Sequence, residues 1–142
     1  MSHWVEISTK WAGEMGFIGQ NTRGGTVQMG EIDGQPGIAP MEMLLLGLAG
    51  CTGVDVAHIL RKKRAHLDDL EITVRARRAD QHPKVYVEIE IQYLLWGDLK
   101  PKDVEQAIQL SEEKYCSASA MLGKTAKIHS TYKILPPEER TQ

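Results

Sequence analysis

The sequence predicts an α+β fold in which antiparallel sheets surround one long helix. Three observations lead to this class: residues that alternate in polarity at 4–11 and 85–95, a long apolar segment after Pro40, and the element order β-β-β-α-β-β-α-α-β. At 142 residues, the chain is expected to form a single domain covering 1–142.

The first 39 residues are predicted to be three strands followed by a loop rich in Gly and Pro. Alternation of polar and β-favouring residues indicates the first strand, and glycine-containing turns separate it from the next two. The strands are expected at 4–11, 17–21 and 26–29, and the loop at 30–39.

One long helix is predicted from Pro40 to about Lys63. Proline suits the first helical position, and Glu42 suits the positive N-terminal end. The segment is apolar nearly all round, so it is expected to be buried on several sides. Glycines recur every three residues and allow another backbone to approach closely; they are Gly47, Gly50 and Gly53. A second subunit is therefore expected to cover part of this helix, which makes the protein a homodimer.

The C-terminal half is predicted to contain two strands, two helices and a closing strand. The segment from Val85 alternates cleanly, with Val85, Val87, Ile89 and Ile91 expected on one face. The strands are expected at 67–76, 85–95 and 126–135, one helix at 101–114, and a short helix near Cys116.

Composition excludes several functional classes. A net charge of −2 and a pI near 6.2 argue against a nucleic-acid or anionic-membrane partner. The longest apolar stretch, 41–49, is expected to be too short to cross a bilayer, and no secretory signal opens the chain, so the protein is expected in the cytoplasm. Single scattered histidines offer no metal-ligand spacing, and Gly24-Gly25 lacks a phosphate-loop context. Neither a metal nor a cofactor is therefore expected.

The two cysteines are the strongest candidates for chemistry. Asp55 and His58 lie four and seven positions beyond Cys51, which returns them to the same helix face. An imidazole there can accept the thiol proton while a carboxylate orients the imidazole. The alternative is that Asp55 and His58 mark the polar edge of the helix.

Cys116 is followed by the small residues Ser117 to Ala120, which suit a tight helix start. The helix dipole and Lys114 are expected to lower the pKa of its thiol. The alternative for both cysteines is core packing without chemistry.

Two segments together resemble the OsmC/Ohr superfamily, the osmotically inducible and organic hydroperoxide resistance proteins. APMEMLLLGLAGCTGVDV, which contains Cys51, resembles the helix signature of that family, and EKYCSASA, which contains Cys116, resembles its second cysteine motif. The resemblance covers most of the chain in order and is nearest to the less characterised OsmC-like branch. It implies an intertwined α+β homodimer with the long helices buried at its centre.

The resemblance also implies a thiol peroxidase active in the stress response. Cys51 would attack a small organic hydroperoxide as a thiolate and become a sulfenic acid. Cys116 would resolve that acid as a disulfide. A thiol reductant, such as the lipoylated protein used by the organic-hydroperoxide group, would restore the dithiol.

The peroxidase members place a Glu directly after the proline that opens the long helix, paired with an Arg from the N-terminal hairpin. Here Met41 follows Pro40, the nearest carboxylate is Glu42, and the nearest substitute for the arginine is Arg23. A second interpretation therefore stays open: a non-catalytic protein on the same scaffold that binds or senses a small apolar molecule.

Overall fold

A computed structural model of the chain describes residues 3–140. The chain divides into two compact units, Met1–Leu44 and Leu45–Gln142, called here the N unit and the C unit. The order of the elements confirms the predicted α+β class. They are β1 (Ile7–Trp11), β2 (Phe17–Asn21), β3 (Thr26–Met29), α1 (Pro40–Lys62), β4 (His66–Arg78), β5 (Tyr86–Asp98), α2 (Pro101–Leu110), a π-helical turn (Ser111–Tyr115), α3 (Ser117–Leu122), β6 (Lys127–Leu135) and a 3₁₀ turn (Pro137–Glu139).

The N unit contains an antiparallel sheet of order β1-β2-β3. The turn between β2 and β3 is closed by Asn21, whose Oδ1 accepts the backbone N–H groups of Arg23 and Gly25 at 3.0 and 2.8 Å. β1 begins at Ile7 rather than at residue 4. Ile7 pairs with Asn21, the last residue of β2, so residues 4–6 have no opposing strand.

Helix α1 begins at Pro40 as predicted. The Glu42 carboxylate accepts the backbone N–H of Ala39 at 2.8 Å and so satisfies one of the donors that a helix start leaves open. Within the C unit, only one stripe of α1 is buried, at positions four residues apart. These are Leu48, Thr52, Val56 and Leu60.

The expectation that α1 is buried on several sides does not hold within a single chain. Leu46 is 52% exposed and Val54 is 70% exposed. A Cβ added at Gly47 or Gly50 would meet nothing within 4 Å, so within the described part of the C unit no neighbouring backbone uses the space that these glycines leave. This face of α1 is open.

Helix α1 is also the one helix within residues 3–140 that is long and apolar enough to cross a membrane. Its 23 residues include an 18-residue window with a mean hydropathy of 1.7. This corrects the expectation that the segment is too short, which counted only the unbroken apolar run and not the whole helix. Length and composition are weak evidence, because core helices of soluble proteins meet the same criteria.

The C unit contains a sheet of order β4-β5-β6. β4 and β5 pair antiparallel, whereas β5 and β6 pair parallel from Glu88↔Lys127 to Trp96↔Leu135. The sheet is therefore mixed rather than antiparallel throughout. The chain between β5 and β6 passes through α2 and α3, and a connection of this length allows the returning strand to run parallel.

The inward row of β5 is shifted from the predicted one. Ile89 and Ile91 are buried as expected, but Val85 and Val87 are 37% and 41% exposed. Arg77 pairs with Glu88 and Arg78 with Tyr86, so the β-bulge leaves Val87 unpaired and turns Tyr86 inward. The core row of the strand continues instead towards its end, through Ile89, Ile91, Tyr93 and Leu95.

The helix predicted at 101–114 ends its α-helical part at Leu110 and continues as the π-helical turn. This turn buries Ser111 and leads directly to Cys116, whose backbone N–H donates to the Ser111 carbonyl at 2.7 Å. Turns of this kind are frequent at functional sites. Here the turn brings a serine and a cysteine from the same segment into the interior of the C unit.

Candidate thiol site

Both cysteines lie in the C unit, and the structure brings them together with one carboxylate. Cys51 and Asp55 are one turn apart on α1, and Cys116 precedes α3. The two sulfurs and a carboxylate oxygen of Asp55 all lie within 4.8 Å of one another. Both thiols are free. Thiols far apart would have supported the core-packing alternative, whereas these two sulfurs lie close together.

Cys116 is the N-cap residue of α3. Its sulfur accepts the backbone N–H of Ser119 at 3.4 Å, so the predicted helix start is confirmed. The expected lowering of its pKa is wrong. Only 3% of the residue is exposed, and burial raises the pKa of the Cys116 thiol, as does its hydrogen bond with Cys51. The backbone N–H of Ser119 works in the opposite direction but does not overcome burial.

Cys51 differs from Cys116 in access to solvent. Cys51 is half-buried on α1, whereas Cys116 is buried. Of the two cysteines, Cys51 is therefore the residue with more contact with solvent.

A chain of hydrogen bonds, called here the hydroxyl chain, runs from Asp55, beside the thiol pair, through the interior of the C unit. Ser111 Oγ donates to Asp55 Oδ2 at 2.9 Å and lies 2.8 Å from Thr52 Oγ1. Thr52 Oγ1 lies 2.8 Å from Tyr93 OH, which donates to Glu112 Oε2 at 2.5 Å. The three hydroxyl-bearing residues between the carboxylates have no solvent exposure.

The Tyr93 phenol keeps its proton within this chain. Burial and the hydrogen bond to the Glu112 carboxylate raise its pKa far above the usual value. At its outer end, Glu112 accepts a second hydrogen bond, from Ser130 Oγ at 3.1 Å. Glu112 is half-buried and Ser130 is exposed, so the hydroxyl chain reaches the protein surface at Glu112.

Sequence reasoning did not identify the hydroxyl chain. Tyr93 falls on the inward row of β5, and a buried tyrosine hydroxyl usually finds a partner, which was the available signal. Thr52 follows Cys51 directly, but its partners come from strand β5 and the π-helical turn. Only the fold brings these segments together.

The other predicted supporting residues are not part of the thiol cluster. His58 is exposed on α1, one turn beyond Asp55, and contributes no donor to the cluster. Glu42 and Arg23 belong to the N unit, where Glu42 caps α1 and Arg23 lies exposed in the β2–β3 turn. Their support of Cys51 stays a prediction.

The thiol cluster is also the one group of three His, Cys, Asp or Glu donors within residues 3–140 that lie close enough to share a metal ion. Metal binding requires the cysteines as thiolates. Because burial favours the protonated form of Cys116, the cluster suits a thiol pair better than a metal site.

Comparison with known proteins places the chain in a family. The family described as OsmC-like protein matches residues 32–131. Protein YhfA of Escherichia coli K12 is 33% identical over 132 residues, which cover 92% of this chain and 98% of YhfA. The crystal structure of a hypothetical protein from Aquifex aeolicus VF5 is 36% identical, with a TM-score of 0.86, and covers 95% of this chain and 98% of its own.

The same fold occurs in a more distant structure, an organic hydroperoxide resistance protein OsmC from Legionella pneumophila. It is 13% identical with a TM-score of 0.69, and the match covers 92% of this chain and 97% of that one. The resemblance that the two cysteine motifs indicated is thus confirmed by the family match, by a relative of nearly full length and by the fold. The chain belongs to the OsmC-like protein family.

Proposed function

We propose that this protein is a thiol-dependent hydroperoxide reductase. The observation that carries the proposal is the cluster of Cys51, Asp55 and Cys116, whose reactive atoms lie within 4.8 Å of one another. In the first step the Cys51 thiolate attacks the outer oxygen of an organic hydroperoxide, the S–O bond forms, the O–O bond breaks, and the alkoxide leaves as an alcohol after taking a proton.

The second step uses Cys116. Its thiol attacks the Cys51 sulfenic acid, the disulfide forms, and water leaves with the sulfenic oxygen. Burial fits Cys116 to this step, because a buried and protonated thiol is poorly reactive towards peroxide but stands next to the sulfenic acid as it forms. A thiol reductant, for which a lipoylated protein is the candidate, then returns both sulfurs to thiols.

One supporting role belongs to the same proposal. Asp55, whose carboxylate lies beside both sulfurs, assists proton transfer at Cys51, while supporting roles for His58, Glu42 and Arg23 stay predictions from the sequence. The likeness in fold to the organic hydroperoxide resistance protein from Legionella pneumophila supports the proposed activity. A role in the stress response follows from that activity. A reducing cytoplasm suits the protein, because it keeps free thiols available.

The working assembly is a homodimer. OsmC/Ohr proteins are commonly dimeric, and the open face of α1 with Leu46 and Val54 is the surface that a second copy would cover. Covering this face also explains how so apolar a helix belongs to a protein free in solution. The proposal takes residues 1–142 as one OsmC-like domain, and the family match at 32–131, which includes residues of both units, supports it.

The test is the consumption of cumene hydroperoxide by the reduced protein, followed together with thiol loss. Wild type is expected to lose both thiols and to form one disulfide per chain. Cys51→Ser is expected to consume no peroxide. Cys116→Ser is expected to consume one equivalent and to stop at a sulfenic acid, detected with a dione that traps this group. Peroxide consumption by Cys51→Ser at the wild-type rate would overturn the assignment.

A second candidate function is the binding of a small apolar molecule without catalysis. A groove of about 430 Å³ in the N unit favours it, with apolar side chains from Ile7, Val27, Met29 and Met43 in its wall. Its size falls within the range of small-molecule sites. The peroxide assay separates the two candidates, because a binding protein would leave peroxide unconsumed in wild type as well.

A further inference from the structure

The hydroxyl chain has one hydrogen-bonded contact too many for the protons that its hydroxyl groups supply. It contains four contacts, from Asp55 to Ser111, Thr52, Tyr93 and Glu112. Ser111, Thr52 and Tyr93 carry one hydroxyl proton each, and a hydroxyl proton occupies one contact. With both carboxylates ionised, three protons therefore serve four contacts.

The contact that lacks a proton is one of the two that Thr52 makes, with Ser111 or with Tyr93. Ser111 donates to Asp55 and Tyr93 donates to Glu112, so the Thr52 hydroxyl can donate to only one of its two neighbours. The remaining contact would hold two oxygens 2.8 Å apart with lone pairs facing each other. All three residues lack solvent exposure, so water is not at hand to relieve that contact.

One additional proton on either carboxyl group completes all four contacts. When Glu112 carries it, every donor points towards Asp55. When Asp55 carries it, every donor points towards Glu112. The two arrangements interconvert when each hydroxyl passes its proton to the next oxygen.

We propose that the hydroxyl chain binds one extra proton, shared between Asp55 and Glu112, and transfers it between the thiol pair and the surface. The inner end lies at the thiols, since an Asp55 oxygen is within 4.8 Å of both sulfurs. The outer end is Glu112, whose other oxygen accepts a hydrogen bond from the exposed Ser130. Between the ends, burial keeps the Tyr93 phenol from losing its proton to solvent.

The role in catalysis rests on the proposed peroxidase function. When Cys51 attacks the hydroperoxide, the sulfur is oxidised by two electrons and the O–O bond is reduced. The departing alkoxide takes a proton from Asp55, each hydroxyl shifts its proton inward, and Glu112 takes one up from water. The reverse shift carries the thiol proton outward when the Cys51 thiolate forms. Ser111, Thr52 and Tyr93 are therefore proton-transfer residues that never touch the peroxide.

The extra proton itself can be measured without any peroxide. Infrared spectra of the reduced protein at neutral pH are expected to contain the carbonyl band of one protonated carboxyl group. In Tyr93→Phe, the contacts of Ser111 with Asp55 and with Thr52 remain, and the hydroxyl protons of Ser111 and Thr52 are enough for both. This variant is expected to lose the band. Tyr132→Phe is the matched control. Tyr132 pairs with Tyr93 across β5 and β6, but its hydroxyl donates to Glu105, which is not part of the hydroxyl chain.

Glu112→Gln provides a second test that keeps the buried tyrosine in place. The amide can donate an N–H to Tyr93, so that all four contacts are satisfied with Asp55 ionised. The band is expected to disappear in this variant too, without a loss of fold. A wild-type spectrum without the band, or a band that persists in Glu112→Gln, would overturn the shared proton.

The transfer role is tested by the rate of Cys51 oxidation in a single turnover. Wild type and Tyr132→Phe are expected to react at the same rate and to slow in heavy water. Glu112→Gln and Tyr93→Phe are expected to react about a hundredfold more slowly, the scale of one lost proton-transfer partner. Unchanged rates in both variants would contradict the transfer role. If wild type consumes no peroxide, the proposed function fails, while the infrared result still decides whether the proton is bound.

Discussion

At the scale of single residues, the two thiols of the site differ in their exposure to solvent. Cys51 is half-buried on α1, and Cys116 is buried as the N-cap of α3. A helix start would ordinarily favour a thiolate at Cys116. Burial is the larger effect here, since the pKa of that thiol is raised rather than lowered. In the proposed reaction, the more exposed cysteine is the one that attacks, and the cysteine whose thiol stays protonated is the one that resolves.

Alkylation rates test this difference between the cysteines. Because burial raises the pKa of Cys116, its thiolate predominates only at a pH above the ~8.5 of a free cysteine. At pH 8, iodoacetamide is therefore expected to modify Cys116 more slowly than a free cysteine. Cys51 is expected to be modified first. Mass spectrometry of the two cysteine peptides over time measures both rates.

The control for this experiment is the protein unfolded in urea, where both cysteines should react at the free rate. The rate at Cys116 in folded protein is expected to rise with pH and to reach half of its maximum above ~8.5. A midpoint below that value would show that the helix start outweighs burial.

At the scale of secondary structure, strand β5 organises the C unit. Its inward row supplies the core and also carries Tyr93 into the hydroxyl chain. The bulge at Val87 sets this row, because it moves the alternation so that Tyr86 rather than Val87 faces inward. Ile91 lies in the middle of the row and is 1% exposed, whereas its neighbour Gln92 faces solvent.

Truncation of these two neighbours should therefore have different effects. Ile91→Ala is expected to lower the free energy of unfolding by about 2–5 kcal/mol, because it removes buried methyl groups and leaves a cavity. Gln92→Ala is expected to change it by no more than about 0.5 kcal/mol, as for most exposed positions. Urea unfolding followed by circular dichroism measures both. Equal losses in the two variants would contradict the described inward row.

The features that local patterns control were predictable from the sequence. Alternation located most of β4 and β5, and Pro40 with Glu42 indicated the start of α1. The bulge at Val87 and the parallel pairing of β6 depend on neighbouring strands, so no local pattern reports them. In the site, helix spacing predicted that Asp55 lies near Cys51. The contacts of Thr52 with Tyr93 and Ser111 join segments 41 and 59 residues apart, which only the tertiary fold determines.

At the scale of the whole molecule, the open face of α1 is the feature that a single chain leaves unexplained. Val54 is 70% exposed on a helix whose opposite stripe is fully buried. Burying one valine side chain is worth roughly 1.5–3 kcal/mol, and a two-fold dimer would gain this at both copies. The open glycines on the same helix would let a second helix approach closely. We therefore expect dimerisation through α1.

Val54→Asp tests this interface. It would place an unpaired charge on each side of the contact, and burying such a charge costs several kcal/mol. Wild type is expected to sediment as a dimer at micromolar concentration, and Val54→Asp as a folded monomer. Thr73→Asp is the control, since Thr73 is another exposed β-branched residue of the C unit but lies on β4. A monomeric wild type would contradict the dimer, and a dimeric Val54→Asp would place the interface elsewhere than on this face of α1.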